Sequence, residues 1–287
     1  MKQAVLLLAH GAPERLEDVE SYLEQVRGGR PGPAEVAEEV KRRYAAIGGS
    51  SPLLRWTRAQ AGALERTLGL PVLAAMRNWH PFIRETMETV RSGEYRQLAA
   101  ICLAPQYSAA SVGLYMRRTL EARREAGVEA EIRWARSFHD EPLLIEALAE
   151  RLEPVARGRR VIFTAHSLPE QALGPDDPYD RECRATAAAV AARLGLAAWD
   201  FAYQSQGMTG GRWLGPTVES KLDAAAGEVV IAPVGFVCDH VEVLYDIDIH
   251  FRRYAAERGI ALYRPESLND SPTFTAALAT VARRCLA

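Results

Sequence analysis

No apolar stretch in this sequence approaches the roughly 18 to 20 residues that a membrane-spanning helix needs, so no transmembrane segment is expected. The run Ala4–Ala9 is too short for a secretory leader and acidic residues follow it soon, which fits a first core strand better. Cysteine is scarce. Cys102, Cys183, Cys238 and Cys285 stand far apart, with no Cys-x-x-Cys, so zinc and iron–sulfur signatures are absent. Free, mostly buried thiols in a reducing, cytoplasmic setting are the expectation. An excess of one charge is missing too. The 35 Lys and Arg balance 37 Asp and Glu, and the basic residues are spread along the chain rather than clustered. That excludes the basic footprint of a nucleic-acid-binding protein.

What the chain does have is a globular composition, 48% apolar and 25% charged over 287 residues, enough for one large domain or two ordinary ones. Short β-rich runs alternate with long helical stretches. The strand candidates are Ala4–Ala9, Val72–Met76, Leu98–Leu103, Glu131–Ala135, Arg160–Ala165, Asp200–Gln204, Glu228–Ala232 and Ala261–Tyr263. Helical patterns include Ala34–Ile47, Thr57–Leu68, Val112–Ala126, Leu143–Arg157 and Arg181–Leu194. This alternation predicts an α/β protein with mainly parallel sheets.

The strands divide into two groups of four with matching punctuation. Ala9-His10-Gly11-Ala12-Pro13 follows the first strand, and Ala165-His166-Ser167-Leu168-Pro169 follows the fifth. Leu103-Ala104-Pro105 ends the third, and Ile231-Ala232-Pro233 ends the seventh. Two similar halves are expected, with a boundary near Phe138–Pro142. Open parallel sheets bind ligands beyond the carboxyl ends of their strands, so both histidines are expected to line one cleft.

A lone histidine is more often a hydrogen-bonded structural residue than a catalyst. His166 gains interest from its place at a strand end, with Ser167 after it and Pro169 fixing the turn. A second unusual stretch, Pro233–Gly259, holds Asp239, His240, Glu242, Asp246, Asp248 and His250. Between Val241 and Phe251 the apolar residues alternate with period two, which reads as a strand. As a helix, Glu242, Asp246 and His250 stand at i, i+4 and i+8 along one face. Either way the result is a row of groups able to hold a divalent first-row metal such as iron, or else the polar face of an ordinary element.

Several motifs resemble those of the ferrochelatases, which insert ferrous iron into a porphyrin during haem synthesis. In order they are "YAAIGGSSPL" (Tyr44–Leu53), "WHPFI" (Trp79–Ile83), "LAPQYSAASVGLY" (Leu103–Tyr115), "FTAHSLP" (Phe163–Pro169), "YQSQG" (Tyr203–Gly207), "WLGP" (Trp213–Pro216), "PVGFVCDHVEVLYDID" (Pro233–Asp248) and "YRPESLND" (Tyr263–Asp270). Together they run nearly from end to end. The length is similar to that of the short soluble bacterial members, which mostly use coproporphyrin III. The resemblance implies two flavodoxin-like (Rossmann-like) α/β domains, each a four-stranded parallel sheet flanked by helices, facing across a porphyrin cleft. Residues 1–140 would form the first domain, joined by a C-terminal helix at 271–287, and residues 141–270 the second. It also turns the stretch from Val241 onward into a partly irregular helix.

On this resemblance, His166 and Glu242 are the catalytic pair and metal ligands, facing each other across the porphyrin. Asp246 and His250 would extend an outer path for metal or protons, although the family often has an acidic residue where His250 stands. Many short members carry an iron-ligating tyrosine at the position of His10, so His10 is expected to approach the macrocycle from the face opposite His166. Porphyrin carboxylates would be met by Arg27, Arg43, Tyr44, Ser51 and Tyr115, with Arg77 at the rim. Ferrous iron is a substrate; no organic cofactor and no iron–sulfur cluster are expected. The implied state is a cytoplasmic monomer whose product passes to a downstream enzyme of the haem pathway. Alternatives of substrate and class are a protoporphyrin IX ferrochelatase and a non-catalytic haem or porphyrin carrier.

Overall fold

In the computed structural model, which describes residues 1–207 and 210–287, a strand forms at each of the eight expected places, and the bounds shift by a residue or so. The chain divides into two compact units. The first comprises Met1–Leu103, Ser111–Arg136 and Thr275–Ala287. It holds β1 (Gln3–Ala9), α1 (Val19–Val26), α2 (Ala34–Ala46), α3 (Leu53–Leu68), β2 (Val72–Met76), α4 (Ile83–Ser92), β3 (Gln97–Cys102), α5 (Val112–Glu125) and β4 (Glu131–Ala135). Its sheet has the order β2-β1-β3-β4, and every pairing is parallel. The two central strands read as continuous apolar runs because helices cover both faces of such a sheet. In β1, Ala4 to Leu8 are wholly buried, and Leu7 lies in register with Ala74 and Ile101.

The second unit comprises Ala104–Ala110 and Ser137–Phe274. Its elements are α6 (Pro142–Ala156), β5 (Arg160–His166), α7 (Tyr179–Arg193), β6 (Trp199–Gln204), α8 (Val218–Asp223), β7 (Glu228–Pro233), α9 (Val241–Leu244), a π-helical turn (Asp246–Phe251), α10 (Arg252–Ala256) and β8 (Ala261–Tyr263). Helix α6 opens on Pro142, whose missing N–H would be unpaired in a first turn anyway. The sheet order is β6-β5-β7-β8, again all parallel, so the second half repeats the topology of the first. Both follow the flavodoxin-like, Rossmann-like order, in which the chain goes to one side of the first strand and then to the other. Helix α11 (Pro272–Leu286) closes the chain and lies with the first unit from Thr275 onward.

One segment departs from a simple division near residue 140. Ala104–Ala110 follows β3 in sequence yet belongs to the second unit. The buried Gln106 amide donates to Thr186 Oγ1 and to the Val234 carbonyl, both at 3.0 Å. The Asp177 carboxylate accepts from Ser108 Oγ at 3.0 Å. These non-local bonds have no periodic signature in the sequence. Among the described residues, no helix is long and apolar enough to cross a membrane.

Candidate active site

Strand β5 delivers His166. Its residues Val161 to Ala165 are buried, and the chain then turns through Ser167. The Ser167 N–H donates to the Gln204 carbonyl and its hydroxyl to the Leu214 carbonyl, each at 2.8 Å. Tyr179 donates its hydroxyl to the His166 carbonyl at 2.9 Å. The end of β7 comes in close here. A Cβ on Gly235 would lie 3.0 Å from Ala165 Cβ, so glycine is what lets the two strand ends approach.

The segment after β7 is helical, as the resemblance implied, and it is widened. Both Ile249 and His250 donate their N–H to the Tyr245 carbonyl, at 3.1 and 2.9 Å, which inserts an i→i+5 bond into the ladder. The buried apolar residues repeat at strict steps of four: Val243, Ile247, Phe251 and Ala255. An α-helix with 3.6 residues per turn would let such a stripe drift; a turn holding more residues keeps it straight against the core. The polar row Glu242, Asp246, His250 has the same spacing.

Gln204, 1% exposed, ties this segment to the sheet. Its amide donates to the Glu242 carbonyl at 2.8 Å, and its own oxygen accepts from Thr164 Oγ1 at 2.8 Å. Held in this way, Glu242 places Oε1 at 3.3 Å from His166 Nε2. Oε2 lies 3.4 Å from His240 Nε2. The carboxylate therefore sits between two imidazoles. Both ring nitrogens of His166 face acceptors, Nδ1 the Ser167 carbonyl and Nε2 Glu242, so the doubly protonated ring satisfies both. Burial is the largest single influence on His166 and opposes its charge. The Glu242 charge and hydrogen bond, the Ser167 carbonyl and Asp246 together outweigh burial and hold the imidazole above its ordinary range. Burial likewise pushes the Glu242 carboxyl up, but His166 and then His240 bring it well below the usual carboxylate value.

This contact corrects the expectation that His166 and Glu242 face each other across the porphyrin. A ring lying between them would need van der Waals contact of about 3.5 Å on each face. Groups 3.3 Å apart leave no such gap, so the two act together from one side. Asp246 and His250 go to separate partners. Asp246 is buried and accepts from Ser205 Oγ at 2.5 Å, while His250 Nε2 lies 3.4 Å from Glu219 Oε1. Among the described residues, no group of three or more His, Cys, Asp or Glu side chains converges as a metal cage.

In the first unit, His10 follows β1 at a turn only glycine can make. Gly11 has φ +87°, and a Cβ there would meet Trp79 N at 2.7 Å. The Asn78 amide lies 3.0 Å from His10 Nε2, and the Tyr22 hydroxyl lies 3.2 Å from Nδ1. An amide N–H is a donor, so Nε2 accepts and the proton resides on Nδ1, beside the Gly11 carbonyl at 3.1 Å. Arg77, next to Asn78, stacks its guanidinium over the Tyr115 ring at 4.5 Å. Tyr44 and Tyr115 are buried. Arg43 donates to Glu39 at 2.9 Å within α2, Ser51 Oγ accepts from Leu53 N at 3.3 Å at the start of α3, and Arg27 ends α1. Gln204 and Ser205 have no individual signal in the sequence, and His240 has no role assigned by its pattern. Only the "YQSQG" and "DHVE" strings signalled them.

The Ferrochelatase family model matches residues 2–286. The chain belongs to the ferrochelatase family. It is 47% identical to a ferrochelatase of Acidobacterium capsulatum, over 98% of this chain and 94% of that one. It is 35% identical to the coproporphyrin III ferrochelatase of Geobacillus thermodenitrificans, over 99% and 96%. In fold alone, this ferrochelatase-family chain is similar to the sirohydrochlorin chelatase SirB of Bacillus subtilis in complex with cobalt. The TM-score there is 0.61 at 13% identity, over 99% of this chain and 95% of that one.

Proposed function

We propose that this protein inserts ferrous iron into coproporphyrin III, with both iron and macrocycle as substrates. The observation that carries the reading is the His166–Glu242 contact, with Nε2 and Oε1 3.3 Å apart at the carboxyl end of a central strand. Insertion requires two pyrrole protons to leave as one Fe²⁺ enters, so the net charge of the macrocycle is unchanged. A neutral His166 takes the first proton at Nε2. Glu242 then stabilises the imidazolium and, once that proton has been passed on, the neutral imidazole and the carboxylate offer a nitrogen and an oxygen donor to the incoming metal. That proton, and then the second one taken by the regenerated imidazole, leave along Asp246 and His250, which continue the polar row away from the pair.

The macrocycle carboxylates fall to Arg27, Arg43, Tyr44, Ser51 and Tyr115, with guanidinium forks suited to carboxylates. Arg43 would exchange Glu39 for a substrate carboxylate, and Ser51 would keep its bond to Leu53 N while donating its proton outward. In this reading the protein works as a cytoplasmic monomer without an organic cofactor or iron–sulfur cluster. The tetracarboxylate is preferred because relatives named for coproporphyrin III match nearly the whole chain at 35% identity. The more similar relative at 47% is named without a substrate, which keeps protoporphyrin IX as the competing reading. An anaerobic assay with each porphyrin separates them. We expect at least about tenfold higher kcat/KM with coproporphyrin III, roughly 1.4 kcal/mol. Equal rates, or preference for the dicarboxylate, would assign the protein to protoporphyrin. In the same assay His166→Ala should bind porphyrin and insert no iron; turnover near the parent level would remove His166 from the mechanism.

A further inference from the structure

Two carboxylates of the active-site segment take no part in the reaction sketched above. Asp239 stands just before His240, and Asp248 lies inside the π-helical turn. Both are held by one side chain from outside the segment, Arg264, which follows β8. Its Nε and Nη2 grip Asp248 through both oxygens, at 2.9 and 2.8 Å. The remaining nitrogen, Nη1, donates to Asp239 Oδ1 at 3.3 Å and to the Pro265 carbonyl at 2.9 Å. The Arg264 side chain is only 13% exposed, so its charge has little water to fall back on.

The same loop fixes Asp239 further. Ser267 donates its hydroxyl to Asp239 Oδ1 at 2.7 Å, and the Asn269 amide donates to Oδ2 at 3.0 Å. The Asp239 N–H donates to Asn269 Oδ1 at 2.9 Å. One guanidinium thus bridges the residue that precedes the helix and a residue of its widened turn. Glu242 and Asp246 lie between these anchors. A π turn spends one more residue per i→i+5 bond than α geometry requires, and it persists only where the surroundings over-determine it. The planar fork of arginine can meet both carboxylates at once; the point charge of lysine cannot.

We propose that Arg264 is a positioning residue for metal insertion. It holds Asp239 and Asp248 at a fixed separation, keeps the widened register between them, and so keeps Glu242 against His166. This rests on the insertion reading above. The test uses Arg264→Lys, Arg264→Met and Asp248→Asn in the full chain, with thermal melts, porphyrin affinity by fluorescence quenching, and anaerobic iron insertion. The parent protein is assayed alongside. Residues that orient reacting groups from behind typically cost about 10- to 100-fold when removed. We expect losses of that size in kcat for both Arg264 variants, a smaller loss for Asp248→Asn, and porphyrin affinity within about threefold of the parent. Unchanged kcat in folded variants overturns the proposal. So does a loss that merely follows the folded fraction, or one confined to porphyrin KM. If the Arg264 variants do not fold, Asp248→Asn decides: parent-like kcat in it overturns the proposal. A parent protein that inserts no iron would instead refute the underlying reading of function.

Discussion

His166 Nε2 and Glu242 Oε1 lie 3.3 Å apart, one at the end of a strand and the other in the first turn of a helix. Both side chains are about one-third exposed, so the pair is reachable by a substrate and still shapes its own protonation.

That coupling gives a pH signature. His166 must be neutral to accept a proton, and its imidazole is held above the ordinary 6.5. Rising pH should therefore raise kcat/KM through an apparent value above 6.5. Glu242→Gln removes the strongest influence that raises His166, so the limb should move to lower pH while kcat falls. A limb in the same place would mean that another group titrates. The stability linkage has the opposite sense for each partner. The His166 contribution is complete below 6.5 and is lost as pH rises through its folded value. The Glu242 contribution is complete above 4.5 and is lost as pH falls through its depressed value. Melting temperature should consequently lose this contribution on both sides of the window.

Gln204→Leu should destabilise the fold. The Glu242 carbonyl and the buried Thr164 hydroxyl both lose their partner in that variant. A buried polar group left unsatisfied costs about 1–3 kcal/mol, which urea unfolding would resolve. Gln204→Glu should be worse, because a carboxylate oxygen would face the Glu242 carbonyl. Parent-like midpoints in both would show that water replaces the amide without loss.

We propose that His10 ligates product iron, and it should then set the spectrum of bound ferric product. Nε2 is the accepting nitrogen of that ring, and the Asn78 amide at 3.0 Å must give way for it to bind a metal. His10→Ala should change a nitrogen-ligated spectrum and the rate of product release while leaving residual insertion. Asn78→Ala should keep the nitrogen-ligated spectrum, since it removes only the competitor. An unchanged spectrum in His10→Ala would return His10 to a hydrogen-bonding role.

Much of this architecture was readable from local pattern. Buried parallel strands are short apolar runs that end where the chain turns, so Val72–Met76 and Glu131–Ala135 appear at the expected bounds. His166 and Glu242 were readable through the motifs around them. Their separation was not, because it depends on Gln204, which ends a different strand and reaches a backbone atom. Between Val241 and Phe251 the alternation suggested a strand. The competing step of four, from Val243 to Ala255, is the pattern that the widened helix buries. Asp246 and His250 looked like a pair because they share a face; Ser205 and Glu219, from elsewhere in the chain, claim them separately.

The widened turn also makes residue count a design variable in its own right. The i→i+5 bond to Tyr245 takes up one residue more than α geometry needs, so deleting one between Asp246 and Phe251 would return the segment to an ordinary α-helical turn. No side-chain replacement could restore the widened turn. Exchanges at the exposed Ile249 leave the count intact, whereas a single-codon deletion at the same place does not. Redesign of this segment is therefore free in chemistry along its outer edge and fixed in length.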